Sequence, residues 1–367
     1  MVGRRRFTLS ATAAIGAAVA LPACSVGSGA DGHEKASREI WRHGQLDAGD
    51  PALLQRELVR YATLAPSSHN TQCWKFRLAG SAIEILPDLS RRCPAVDPDD
   101  HHLFVSLGCA TENLVQAALA HGLKADAGFD SASNAVRIRL ERTQAVATPL
   151  FQAIPQRQCT RGDYDGKPLP REELALLQQA GSGKGVRLML LTDRAAMEQT
   201  LAYVVQGNTV QMNDPAFVDE LKAWIRFNGS DAVRTGDGLY AASSGNPSLP
   251  AWLGQLMFGL FFTARSENDK YARQVRSSAG IAVFVADAAD AAHWVEVGRC
   301  YERFALQAAA LGVRNAFLNQ PVEVATLRPQ FASALGIGDR RPDLVVRFGR
   351  GPKLPASLRR PVQSVLV

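Results

Sequence analysis

Leu107-Gly108-Cys109-Ala110-Thr111-Glu112-Asn113-Leu114, running on to Ala117-Ala118-Leu119-Ala120-His121-Gly122-Leu123, has an echo 190 positions later. The echo reads Val297-Gly298-Arg299-Cys300-Tyr301-Glu302-Arg303-Phe304 and then Gln307-Ala308-Ala309-Ala310-Leu311-Gly312-Val313. In both copies a Gly is followed by Glu four positions on and by a second Gly at fourteen. Either two Ala-rich, Gly-bounded helices coincide, or a domain has been duplicated. The spacing predicts a helix over Leu103–His121, capped by Gly122, and another over His293–Leu311. Outward from the first lie a hairpin, Lys75–Leu78 with Ile83–Leu86, and a strand, Val136–Leu140. Around the second lie strands Val186–Thr192, Ile281–Ala286 and Asp343–Phe348, and further helices Arg171–Ala180, Arg194–Met212, Pro215–Phe227 and Val324–Leu335. Strands and helices intermix without regular alternation, which argues an α+β class rather than a doubly wound sheet.

The chain has 367 residues, 46% apolar and 21% charged, enough to bury a sizeable core. Its net charge is +6, and three of those charges are Arg4, Arg5 and Arg6. The remainder is too weakly and too diffusely basic to argue for nucleic acid, though it suits a phosphorylated ligand. Six cysteines form no Cys-x-x-Cys pair and no zinc spacing, so they read as buried free thiols. Asp97-Pro98-Asp99-Asp100-His101-His102 reads as a solvated loop capping the next helix rather than a metal site. Gly181-Ser182-Gly183-Lys184-Gly185 lacks the spacing of a phosphate loop and reads as a tight turn.

Residues 1–23 read as an export signal, a basic start followed by a short stretch of small apolar residues. Arg-Arg-x-Phe resembles the twin-arginine signal, and Leu21-Pro22-Ala23-Cys24 resembles a lipobox, which implies acylation of Cys24. The expected location is the periplasm or cell envelope, with membrane contact by lipid anchor at most. Residues 24–50, rich in Gly, Ser, Ala and charge, read as a tether.

Between an apolar helical run, Leu53–Leu64, and a strand lies Ala65-Pro66-Ser67-Ser68-His69-Asn70-Thr71-Gln72-Cys73-Trp74. Pro66 ends the helix. A turn that only reversed the chain would use Gly and Asp; this one concentrates polar donors and acceptors. A Ser68–His69 hydrolase would need a nucleophile elbow and a third partner, and neither is visible.

The turn resembles the A-P-S-x-x-N-x-Q-P-W signature of the nitroreductase family of FMN-dependent oxidoreductases, with Cys73 in place of Pro. A second segment, Arg157-Gln158-Cys159-Thr160-Arg161 followed by Pro168-Leu169-Pro170-Arg171-Glu172-Glu173-Leu174, resembles that family's R-x-S-x-R and P-V-P-x-E-x-L segment, with Cys159 in place of Ser. Each half keeps the motif that the other lacks. The chain is therefore similar to the single-chain, two-halves Acg-like branch. The resemblance implies a nitroreductase-like fold of two tandem degenerate halves, 51–150 and 151–367, forming an intramolecular pseudo-dimer, with a lid-like insertion at about 228–269. It implies a monomer with one flavin site.

For that site the resemblance implies FMN as cofactor. Arg157, Arg161 and Arg360 (Arg359 as second choice) would hold the phosphate, since guanidinium forks match phosphate oxygens. Gln158 and Cys159 would lie along one edge of the ring, Ser67, Ser68 and Asn70 along another, and Pro66 on its face. Asn319 and Gln320 fall where the family has further contacts, while Gln72 braces the turn. No side chain is required as acid or base, because the flavin carries the electrons. The implied activity is reduction of nitroaromatic- or quinone-like small molecules. NAD(P)H is not expected outside the cytoplasm, so the donor stays open. The alternative is a non-catalytic protein that binds or sequesters flavin.

Overall fold

A computed structural model describes residues 26–44 and 50–367. The export segment and Cys24 lie outside the described residues. The first half runs from α1 (Val26–Ile40) and α2 (Pro51–Thr63) through β1 (Trp74–Ala79), β2 (Ala82–Pro87) and α3 (His101–Ala120) to β3 (Leu123–Asp130) and β4 (Ala135–Arg142). Then come α4 (Pro149–Ala153), α5 (Arg171–Gly181), β5 (Val186–Leu191), α6 (Arg194–Met212) and α7 (Pro215–Trp224). Next are β6 (Ile225–Arg226), α8 (Gly229–Thr235), β7 (Leu239–Tyr240), α9 (Ala251–Phe261) and α10 (Ala264–Arg276). The chain closes with β8 (Gly280–Ala286), α11 (Ala291–Ala310), β9 (Arg314–Phe317), α12 (Gln320–Glu323), α13 (Arg328–Ala334) and β10 (Pro342–Gly349).

The duplication is visible in the topology. α2-β1-β2-α3-β3-β4 is repeated as α5-β5-β8-α11-β9-β10. Each set builds a four-stranded antiparallel sheet with the same spatial order, β1-β2-β4-β3 and β5-β8-β10-β9. The difference is one connection. Gly80 turns β1 tightly into β2 at φ 60°, whereas residues 192–279 separate β5 from β8. The inserted segment is therefore longer than the composition at 228–269 shows. It is also more helical, because a Thr263–Ser266 capping box starts α10 just after α9 ends. α6, α10 and α13 cover the outer face of the second sheet, where Met197, Leu201, Val275 and Phe331 pack on Ile281, Val283 and Val345. That is why β8 is buried at every position, while β3 alternates half-buried with exposed.

α3 and α11 cross at the centre, and their repeated glycines explain the motif. A Cβ on Gly108 would lie 2.0 Å from the Val295 carbonyl oxygen, and one on Gly298 would lie 1.9 Å from that of Val105. The contact is reciprocal, as at an isologous two-fold interface. Only glycine lets the backbones approach this closely. The repeated glutamates are buried beside it. Glu112 pairs with Arg299 (3.3 Å) and Arg303 (3.0 Å), and Glu302 with Arg157 (3.1 Å).

One composition-based reading is corrected. Residues 26–40 form α1 rather than a tether. Ala36 and Ile40 pack with Ala232, Tyr240 and Leu358, and the Trp41 indole donates to the Ser357 carbonyl (2.9 Å). Burial of those apolar positions outweighs the Gly and Ser content.

Candidate functional site

α2 ends at Thr63, and the chain enters the polar turn with its backbone under strain. His69 (φ 49°), Asn70 (φ 53°) and Gln72 (φ 55°) all adopt the left-handed region without being glycine. Three such residues among four persist only where surrounding bonds over-determine them. Those bonds are long-range. Asn70 Nδ2 donates to the carbonyls of Gly238 (3.0 Å) and Leu358 (3.2 Å), and its Oδ1 accepts from Arg359 (2.9 Å). Gln72 donates to the Gly236 carbonyl (2.8 Å) and accepts from the Arg360 amide (2.8 Å). Ser67 Oγ accepts the Gln72 amide (2.9 Å).

This bracing turns Pro66, Ser67, Ser68 and His69 toward a cavity of about 450 Å³. Val105, Ser106 and Cys109 of α3 form one wall. Ala316, Phe317, Asn319 and Gln320 of the second half form another, and Phe258, Phe261 and Phe262 at the end of α9 close over it. The cavity thus takes residues from both halves and from the insertion. Arg161 and Lys270 line it as well. Gln274, one helical turn beyond Lys270, donates to the Arg161 carbonyl (2.6 Å) and so ties the two cations to one region. Lys270 has Glu267 at 3.5 Å, and Arg161 makes no ion pair among the described residues.

Three buried polar atoms on the wall, His69 Nε2, His102 Nε2 and Gln320 Oε1, have no hydrogen-bond partner. Burial, reinforced by the Arg161 charge, lowers the His69 pKa to about 4, so its imidazole is neutral at neutral pH. Burial holds the Cys109 thiol well above its ordinary range, which leaves it inert. Such an arrangement suits a flat, partly apolar molecule with an anionic end, met by unpaired donors and acceptors.

Of the residues singled out from sequence, Pro66, Ser67, Ser68, Arg161, Asn319 and Gln320 meet at this cavity. Gln320 sits where a Cβ on Gly207 would come within 2.8 Å of its backbone, so α6 packs directly behind it. Asn319 spends its Oδ1 on the Val345 amide (2.9 Å). The other residues lie behind the walls. Arg157 is buried between Glu302 and the Leu64 carbonyl (2.7 Å). Gln158 donates to the Leu354 carbonyl (2.6 Å), and Cys159 bridges in extended conformation to Asn315. Asn70 and Arg360 brace the turn; the Arg360 guanidinium donates to the Gln72 carbonyl (2.7 Å). Arg359 is buried and donates to the Thr63, Leu64 and Ala65 carbonyls, closing the C-terminus of α2. The Asn70, Arg157, Gln158, Arg359 and Arg360 side chains satisfy backbone carbonyls that would otherwise be orphaned. Sequence reasoning missed His69, Lys270 and the α3 wall. Cys109 stood inside the repeated motif, and that was the available signal.

The stretch read as a solvated loop that caps the next helix does cap it, with Pro98 and Asp99 exposed, but Asp97, His101 and His102 are buried. Asp97 caps α3, accepting from the amides of His102 and Leu103 (3.0 Å each), while His101 and His102 are almost fully enclosed.

The chain is similar over 326 residues, at 26% identity, to proteins from two strains of Mycobacterium tuberculosis that are provisionally named NAD(P)H nitroreductases; the match covers 85% of this chain and 90% of each relative. Among solved structures, it is similar to a nitroreductase with bound FMN from Desulfitobacterium hafniense (16% identity, TM-score 0.36, 59% of this chain and 93% of that one). An FMN-dependent nitroreductase from Mycobacterium smegmatis in complex with NADPH matches at 12% identity and TM-score 0.36, over 55% of this chain and 87% of that one. No family model matches the chain.

Proposed function

We propose that this chain is an FMN-dependent oxidoreductase of nitroreductase type, working as a monomer whose two halves supply one site. The observation that carries the reading is the strained turn facing a two-halved cavity with cations and unpartnered polar atoms on its wall. The match along 85% of the chain to relatives named as nitroreductases supports it.

The residues present fit the cofactor. Arg161 and Lys270 would hold its phosphate, Arg161 by a two-pronged guanidinium contact. Ser67, Ser68 and the unpartnered His69 Nε2 and Gln320 Oε1 would meet the polar edges of the ring, and Pro66 and Phe317 its faces. Bound FMN supplies two-electron transfer. The chain's part is to bind and orient, to place donors where charge grows, and to exclude water with Phe258, Phe261 and Phe262. Small nitroaromatic- or quinone-like molecules are the proposed acceptors. Export through the twin-arginine-like start, with Cys24 as lipid anchor, is proposed from the sequence alone.

Purification of the folded chain, followed by absorbance spectroscopy, tests the reading. Flavin bands that bleach with NADH, NADPH or a reduced dye and return on addition of a nitroaromatic or quinone are expected. Protein without flavin, which also fails to take up added FMN, would overturn it. Flavin that no donor reduces would mean storage rather than turnover.

A further inference from the structure

At the first turn of α3, a buried group of side chains is left with unused lone pairs. His101 is fully buried and His102 is 4% exposed. His101 Nε2 lies 3.0 Å from Asp343 Oδ1, while the other oxygen of Asp343 accepts the Ala286 amide (2.6 Å). With Asp343 Oδ1 accepting a hydrogen bond from Nε2–H, the free lone pair of His101 lies on Nδ1. That nitrogen has no partner, and neither has His102 Nε2. Asp97, His101 and His102 each offer a donor atom within 4.8 Å of the others. Glu323 of α12 places Oε1 3.6 Å from His102 Nε2, held there by Gln211 on its other oxygen (2.7 Å).

We propose that Asp97, His101 and His102 form a binding site for a divalent transition-metal ion of the zinc type, which Glu323, close to His102 alone, completes by swinging its carboxylate toward the ion. Two imidazole nitrogens and two carboxylates are a donor set that Zn²⁺ accepts, and the two carboxylates balance its charge. Two ligand atoms on one tetrahedral ion, each about 2.0–2.1 Å from it, lie about 3.3 Å apart, close to the spacing of His102 and Glu323. The Asp343 carboxylate behind His101 is the outer-shell partner that fixes a metal-binding tautomer. The positive end of α3 does not repel the ion unopposed, because Asp97 already caps the His102 and Leu103 amides. Arg341 and Arg328, the nearby cations, face Asp99. His102 and Glu323 line the cavity, which gives the ion a way in. The ion would tie α3 of the first half to α12 of the second beneath the cavity floor. This site does not depend on the flavin reading.

The test uses the full folded chain with whatever cofactor it carries. Zn²⁺ content after dialysis and the melting temperature with and without Zn²⁺ are measured, and Co²⁺ is used as a spectroscopic probe. One ion per chain is expected, with an upward melting shift and the visible bands of four-coordinate Co²⁺. His102→Gln and Glu323→Gln should each lose these effects while keeping a native circular-dichroism spectrum. His101→Ala is a second variant should either of those fail to fold. A folded wild-type chain that takes up no stoichiometric metal overturns the proposal, as does metal binding undiminished in the folded variants.

Discussion

Gly298→Ala isolates the contact that joins the two halves. The new Cβ would sit 1.9 Å from the Val105 carbonyl oxygen and 3.0 Å from the Cys109 amide nitrogen. Both are helix backbone, so no side chain can swing aside. Restoring even a 3.0 Å contact requires α3 and α11 to separate by about 1 Å at their closest point. Overpacking of this kind costs up to about 3 kcal/mol. Against it stands the helix-propensity gain of Gly→Ala, about 1 kcal/mol. The expected net loss is therefore about 2 kcal/mol, read as a lower urea midpoint at unchanged slope in denaturation followed by circular dichroism. Gly108→Ala should lose a similar amount, because its Cβ would lie 2.0 Å from the Val295 carbonyl. One displacement of the helices relieves both clashes. The double variant should thus lose about 2 kcal/mol or less, rather than the additive 4 or so. Gly259→Ala in α9, with nothing within 4 Å of its Cβ, serves as control and should gain up to about 1 kcal/mol. A neutral Gly298→Ala, or strictly additive losses, would refute the shared-contact reasoning.

Three further outcomes follow from the site. Arg161→Ala should weaken FMN binding about 10- to 100-fold in a fluorescence titration, the worth of a hydrogen bond to a charged group, with little change in melting temperature; unchanged affinity would remove Arg161 from the anion's surroundings. Glu302→Gln leaves the buried Arg157 guanidinium without its counter-charge and should cost about 3–5 kcal/mol of stability, much of it recovered when Arg157→Met is added; a small single loss would show the pair to be dispensable. His69, held at about 4 against 6.5 unfolded, binds fewer protons when folded, so its contribution is complete above pH 6.5 and is lost as pH falls toward 4. That loss is at most about 3 kcal/mol, and His69→Asn, which tolerates the left-handed φ, should flatten this part of the acid limb in urea midpoints of flavin-free protein.

What the sequence carried, and what it withheld, divides along the range of the contacts. The Gly108 and Gly298 spacing was legible because one backbone approach dictates the residue type at both positions. The turn's polarity was legible too, but its division of labour was not. Asn70 and Gln72 find their partners 164 to 289 positions away, so nothing local separates a brace from a ligand contact. β3 was overlooked although Leu123, Ala125, Ala127 and Phe129 alternate with polar or small residues, because its outer face is charged and its inner face only half-buried. α9 escaped for the opposite reason: a run apolar but for Gln255 has no polar stripe to reveal a helical period. The arginines show the limit most plainly. A guanidinium fork announces that several acceptors converge on it, and the sequence motif assigned phosphate oxygens to Arg157 and Arg360. Carbonyls at the end of α2 and in the strained turn present the same acceptor geometry to Arg157, Arg359 and Arg360. Only Arg161, among the cations chosen from sequence, is left with its side chain at the cavity and no counter-charge among the described residues, which is the condition a bound anion requires.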